Sequence, residues 1–223
     1  MRRCALLDWL ASLPPHSRDS AIEAHLTLDH AHAGEAPPGE HMLGHHAAGI
    51  APIVRMLLEV PLTEADTLVD LGSGLGKVVL VARMLTGAVS RGIEIQPALV
   101  EGARAAAARL GVDVRFTCAD ARHAELDDGT VFFLYAPFTG PVLAEVMARL
   151  GVIARTRAIV VCALGVDLDR GAPWLVARES DAFWLTIYDS VETGAPGRSR
   201  ARARRAPAAE AVAFERVARE RRP

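Results

Sequence analysis

Hydrophobic positions along this chain are spaced in two ways, and the switches between them mark out its elements. From residue 67 onward, short apolar runs alternate with longer amphipathic ones. The short runs predict strands over 67–71, 90–95, 112–119, 130–136 and 158–164. The longer ones predict helices over 77–86, 97–110 and 141–153. Pro97 suits a first helical turn, and Gly111 suits the position just past a helix end. Strand and helix in alternation mean a parallel sheet with helices on both faces. The runs TLVDL, VFFLYA and AIVVCAL are nearly unbroken in apolar character, as a sheet covered on both sides requires.

The pattern differs at both ends. Residues 1–48 are polar, contain proline and are rich in histidine; a helix follows over 50–60, with Ile53, Met56, Leu57 and Val60 on one side. After the fifth strand the alternation stops. Two strand-like runs, 174–179 and 183–191, are joined by Ser180-Asp181 and predict an antiparallel hairpin that closes one edge of the sheet. The chain therefore divides into an N-terminal His-rich lid segment (1–49), an α/β domain (50–193) and an Arg-rich, flexible tail (194–223).

Composition narrows the class. Of 223 residues, 51% are hydrophobic and 23% charged, which excludes a disordered or collagen-like chain. No window holds about 18 uninterrupted apolar residues, so no membrane span is expected. Asp8 interrupts the N-terminal apolar stretch, which is too short for a secretory signal. Cys4, Cys118 and Cys162 offer neither a disulfide framework nor a CxxC pair. Cys118 and Cys162 sit in apolar runs and are expected to be buried free thiols, which points to a reducing, cytoplasmic compartment. The net charge of −2 hides a segregation: from Arg198 the tail holds nine Arg and three Glu, and the body before it is acidic. Lys77 is the only lysine, and the heavy use of Arg and Ala reads as coding bias.

The chemistry is carried by Asp70-Leu-Gly72-Ser73-Gly74-Leu-Gly76-Lys77, where an apolar strand runs through a glycine turn into a helix. Ligands of open α/β sheets sit at such strand ends. A phosphate-binding P-loop would need Gly at 71 and Ser or Thr at 78, which are Leu71 and Val78. A dinucleotide fingerprint would need Gly at 77, which is Lys77. An acid two residues before GxGxG is matched at every fixed position. It resembles the first motif of class I S-adenosylmethionine (SAM) methyltransferases. Two further acids end the next two strands, Glu94 in RGIEI and Asp120 in FTCADA.

That resemblance implies a Rossmann-like class I methyltransferase fold: α/β, with a mostly parallel sheet closed by the antiparallel C-terminal hairpin. It implies SAM as cofactor. It implies that Asp70, Gly72, Ser73, Gly74 and Gly76 receive the amino-acid end, Glu94 with Ile95 the ribose, and Asp120 with Ala121 the adenine. VDLGSGLGKVVLVA, GIEIQPALVEGARAAA and TVFFLYAPF further resemble the small non-SET protein lysine methyltransferases over residues 50–191. The absence of a helix before the terminal hairpin, with Trp174 opening it, points the same way. The activity implied is methyl transfer to a protein amino group, that of lysine. The alternatives are a small-molecule methyltransferase and a SAM-binding module without catalysis.

In that fold the end of the fourth strand lies beside the methyl group. Here it reads Tyr135-Ala136-Pro137-Phe138, without the Asn or Asp that opens the corresponding motif of many amide and nucleobase enzymes. Tyr135 is the candidate to hydrogen-bond the acceptor and Phe138 to pack on its alkyl chain. His41 and His45 have i, i+4 spacing, yet neither HExxH nor a nearby cysteine accompanies them, and no metal is expected. The stretch 44–52 is expected to roof the pocket, with His45 or His46 near the acceptor as a proton acceptor at neutral pH. Nucleic acid could be met only through the tail.

Overall fold

A computed structural model describes residues 3–30, 39–44, 46–169, 171–179 and 184–191. His45 and the Arg-rich tail, on which two of the expectations fall, lie outside the described residues. The expected α/β architecture is found. Seven strands form one sheet: β1 (Thr67–Leu71), β2 (Val89–Glu94), β3 (Arg115–Cys118), β4 (Val131–Tyr135), β5 (Val160–Leu164), β6 (Leu175–Ala177) and β7 (Leu185–Ser190). Their order is β3-β2-β1-β4-β5-β7-β6. The first five run parallel, and β7 and β6 close one edge antiparallel. The order reverses at β1, so β1 and β4 diverge to opposite sides of a switch point, where a ligand crevice forms.

The two-residue period of the strands sorts side chains into two cores. Leu68, Phe133 and Cys162 face one, and Val69, Leu71, Phe132, Leu134 and Val161 the other. The first core is covered by α3 (Ile50–Glu59), α4 (Lys77–Thr86) and α5 (Pro97–Leu110), and the second by α6 (Gly140–Thr156). Pro97 does open α5, and Gly111 caps it in the left-handed region, with Val112 N–H reaching back to Ala107 O. That closing turn uses residues 111–114, so β3 starts at Arg115, later than the apolar run suggested. Helix α6 continues through Gly151, where a Cβ would lie 2.9 Å from the indole nitrogen of Trp174. The glycine admits the ring that opens the hairpin.

The N-terminal segment departs from the polar pattern read from it. It forms α1 (Arg3–Ser12), a single 3-10 turn (Pro15–Ser17) and α2 (Arg18–His25). Leu6, Leu7, Leu10, Ile22 and Leu26 are buried and join the first core. Five apolar side chains dispersed among charges were enough, because α1 packs along α4. Among the described residues no helix is long and apolar enough to cross a membrane.

Cys162 is fully buried, as expected, but Cys118 is exposed. The reason is position: β3 is the outermost parallel strand, and its cover is spent on Phe116.

Candidate functional site

The glycine turn after β1 is shaped by close approach. Gly72 has φ +79°, and a Cβ there would lie 2.4 Å from Pro137 Cβ, so this glycine lets the β1 end touch the β4 end. Gly92, on the neighbouring strand, is in ordinary extended backbone, yet a Cβ would meet Ser73 Oγ at 2.3 Å. The turn therefore lies directly on β2. Its N–H groups at Gly72 and Ser73 both donate to Ile93 O, at 2.8 and 3.0 Å.

Three carboxylates close the strand ends in three different states. Glu94 accepts N–H groups from Gly74 (2.9 Å), Ile95 (2.9 Å) and Gln96 (3.0 Å) and so ties the turn to the end of β2. Asp120 is held by the Arg122 guanidinium and accepts the Arg122 N–H at 2.8 Å. Hydrogen bonding to Arg122 keeps its carboxyl below the usual carboxylate range. Asp70 is 2% exposed and has neither a hydrogen bond nor an ion pair among the described residues. Burial, and then the charge of Glu94, push it well above the usual range.

These groups line two adjoining recesses. The larger, about 600 Å³, is bounded by Glu94, Ile95, Asp120 and Ala121 on one side and by Tyr135, Pro137, Phe138 and Val142 on the other. Its roof is Met42, Leu43, Gly44 and His46. The smaller, about 390 Å³, has Asp70, Ser73 and Lys77 on its floor and Leu28 and His30 on its wall. Gly72, His46 and Tyr135 line both, and so mark their junction.

The roof is pinned to the end of β4. Leu43 N–H donates to Pro137 O at 3.0 Å, Thr139 N–H to His41 O at 2.8 Å, and Met42 pairs with Phe138. Cover over the larger recess thus begins at Met42, ahead of the expected stretch, while Ala47 and Ala48 line the smaller recess before the chain turns into α3 at Ile50.

Of the residues singled out from sequence, Asp70, Gly72, Ser73, Glu94, Ile95, Asp120, Ala121, Tyr135 and Phe138 line one recess or both. Gly74 and Gly76 line neither. Gly74 serves Glu94, and Gly76 admits the Phe116 ring, which a Cβ would approach to 2.4 Å. Phe138 is also part of the second core. Sequence reading missed Leu28, His30, Met42 and Leu43, which carry no local signal and reach the site only through packing. Lys77, a mismatch to the dinucleotide fingerprint, has a structural role. Lys77 is 5% exposed and paired with Asp19 and Glu23 of α2, whose i, i+4 spacing was the available clue. No cluster of His, Cys, Asp and Glu among the described residues could hold a metal ion.

The double recess fits SAM. An unpartnered buried carboxylate at one end suits an ammonium group. Ser73 Oγ is buried without a hydrogen-bond partner. Glu94 keeps lone pairs for hydroxyl donors at the other end.

Comparison with known proteins agrees. The family described as "Histone methylation protein DOT1" matches residues 49–119. A solved RNA methyltransferase from Salinibacter ruber, in complex with S-adenosyl-L-homocysteine, is 28% identical with a TM-score of 0.54, covering 69% of this chain and 98% of that one. The mitomycin 7-O-methyltransferase MmcR, 15% identical with a TM-score of 0.50, shares the fold over 63% of this chain and 52% of its own. No curated protein sequence matches the chain. With its strand order, its glycine turn and its three strand-end acids, the chain is a class I SAM-dependent methyltransferase, and SAM is its cofactor.

Proposed function

We propose that the methyl acceptor is a protein amino group, the ε-amine of a lysine side chain. One observation carries the reading. The acceptor side of the larger recess is apolar, built from Met42, Leu43, Pro137, Phe138 and Val142, and the end of β4 offers no carboxamide or carboxylate to grip a planar base. Such a lining suits a flexible alkyl chain that ends in a nucleophile. The match of residues 49–119 to a histone-methylation family supports the same class of acceptor.

When bound, the cofactor supplies an electrophilic methyl group on a sulfonium. The chain's residues then have these roles in the proposal. Asp70 and Ser73, with the backbone at Gly72, hold the amino-acid end. Glu94, fixed by Gly74 and flanked by Ile95, accepts the ribose hydroxyls. Asp120 and the N–H of Ala121 read the adenine; the Ala121 carbonyl is already taken by Arg149 at 2.9 Å, which orients that peptide. Tyr135 meets the acceptor nitrogen at the junction, and Phe138 packs on the alkyl chain. Displacement on a methyl group needs alignment above all, which supplies about 7–11 kcal/mol. Met42, Leu43, Gly44 and His46 act as the lid.

A second reading, methylation of RNA, is favoured by the Salinibacter ruber relative, whose acceptor class is RNA. Incubating the enzyme and a cell extract with methyl-labelled SAM separates the two. Label recovered as methyl-lysine from hydrolysed protein supports the proposal. Label confined to nuclease-sensitive material replaces it with the second reading.

A further inference from the structure

An alkylammonium group cannot attack SAM until it loses a proton, because its ordinary pKa of about 10.4 keeps it charged at neutral pH. The enzyme therefore needs a proton acceptor at the junction of the two recesses. Six titratable groups other than His46 line those recesses: His30, Asp70, Lys77, Glu94, Asp120 and Tyr135. Glu94 is occupied by three backbone donors, and Asp120 is chelated by Arg122. Lys77 is bound to Asp19 and Glu23, and His30 lies 3.5 Å from Glu23. Asp70 lines only the smaller recess and is assigned above to the amino-acid end of the cofactor, and Tyr135 is assigned to the hydrogen bond with the acceptor.

His46 stands apart. It lines both recesses, belongs to the roof, and makes no hydrogen bond or ion pair among the described residues. It is exposed, so a proton taken from the acceptor has a path to water. Imidazole is also the side chain suited to exchanging protons near neutral pH.

We propose that His46 is a catalytic residue, the group that takes the acceptor's proton. The inference rests on the amine reading above. In the step, an N–H⁺ proton passes from the acceptor ammonium to an imidazole nitrogen of His46. The freed lone pair forms the N–C bond to the methyl carbon. The C–S bond breaks, and its electron pair returns to sulfur. The product is a methylated ammonium with S-adenosylhomocysteine, and His46 later releases its proton to water.

The test measures initial rates of label transfer from methyl-labelled SAM into the protein fraction of a cell extract, from pH 6 to about pH 10, with SAM affinity determined by calorimetry. His46→Gln is expected to lose about a hundredfold in rate at pH 7. The deficit should shrink as pH approaches the acceptor's own pKa of about 10.4, while SAM affinity stays unchanged. His46→Ala should be partly rescued by added imidazole, a response that a purely structural lid residue would not give. Full activity of His46→Gln at pH 7 overturns the proposal while leaving the amine reading intact. So does a pH-independent loss with no imidazole rescue. Wild-type label found outside lysine overturns the amine reading, and the proposal with it.

Discussion

The side-chain oxygen Oδ1 of Asp19 lies 3.3 Å from Lys77 Nζ, and the same oxygen accepts the Ile50 N–H at 2.7 Å. One carboxylate atom thus joins α2, the first turn of α3 and the first turn of α4. Glu23 flanks Lys77 from the next turn of α2. The N-terminal helices are in this way fastened to the helix that follows the glycine turn.

Lys77→Met should test that fastening. The variant leaves Asp19 and Glu23 without their cation, and Asp19 is half exposed, so the loss is put at about 2 kcal/mol, between the values for surface and buried pairs. Thermal unfolding should drop by about 4–8 °C. An unchanged melting temperature would mean that the N-terminal helices are held by their apolar faces alone.

Gly72→Ala and Gly92→Ala attack the turn from opposite sides. The first places a methyl 2.4 Å from Pro137 in left-handed backbone, and the second places one 2.3 Å from Ser73 Oγ. Pro137 is rigid, and rotating the Ser73 hydroxyl away still leaves its Cβ at 2.6 Å, so the turn must move. Both variants should bind SAM at least about tenfold more weakly by calorimetry, with overpacking that costs about 1–3 kcal/mol of stability.

Asp70 makes stability and binding depend oppositely on pH. Burial raises its pKa in the folded, SAM-free protein. Its contribution to stability is therefore complete below the ordinary carboxylate pKa and is lost as pH rises through the elevated value. SAM binding should instead strengthen over that rise, as the carboxylate ionises. Asp70→Asn should flatten the melting curve against pH and abolish most of the thermal shift caused by SAM. Equal thermal shifts in variant and wild type would remove Asp70 from the cofactor site.

Tyr135→Phe keeps the ring and removes only the hydroxyl at the junction. About a tenfold fall in kcat is expected from one lost hydrogen bond to the acceptor, with SAM affinity unchanged. Phe138→Leu, chosen because Phe138 also fills the second core, should raise KM for the acceptor more than it lowers kcat. Unaltered kinetics in both would place the acceptor elsewhere.

The two described thiols should differ in reactivity. Burial pushes the Cys162 thiol up to about 12, while Cys118 is exposed at the end of β3. Peptide mapping after alkylation at pH 8 should find Cys118 modified in the native protein and Cys162 only after unfolding.

Elements whose periodicity is local were legible from sequence. Helices α4 and α5 fall on the expected residues, because Gly76, Pro97 and Gly111 fix their ends by backbone conformation alone. Asp70, Glu94 and Asp120 were legible for a similar reason, since each ends a strand of a parallel sheet and must meet at its carboxyl edge. What escaped was set by contacts distant in sequence. Helix α1 finds its packing partner in α4 and α2 in α3, and Cys118 is exposed on the outermost parallel strand, β3.

The amino-acid order by itself determined the strand–turn–helix unit, the parallel sheet and the three acids, because these follow from side-chain period, glycine conformation and strand ends. Only the tertiary structure decided the state of each acid: one bonded to three backbone N–H groups, one chelated by arginine, one buried and bare. It alone decided, too, that the roof reaches back to Met42 and that His46 lines both recesses. A carboxylate's protonation and a lid's position depend on which distant groups share its surroundings, and no local pattern encodes that.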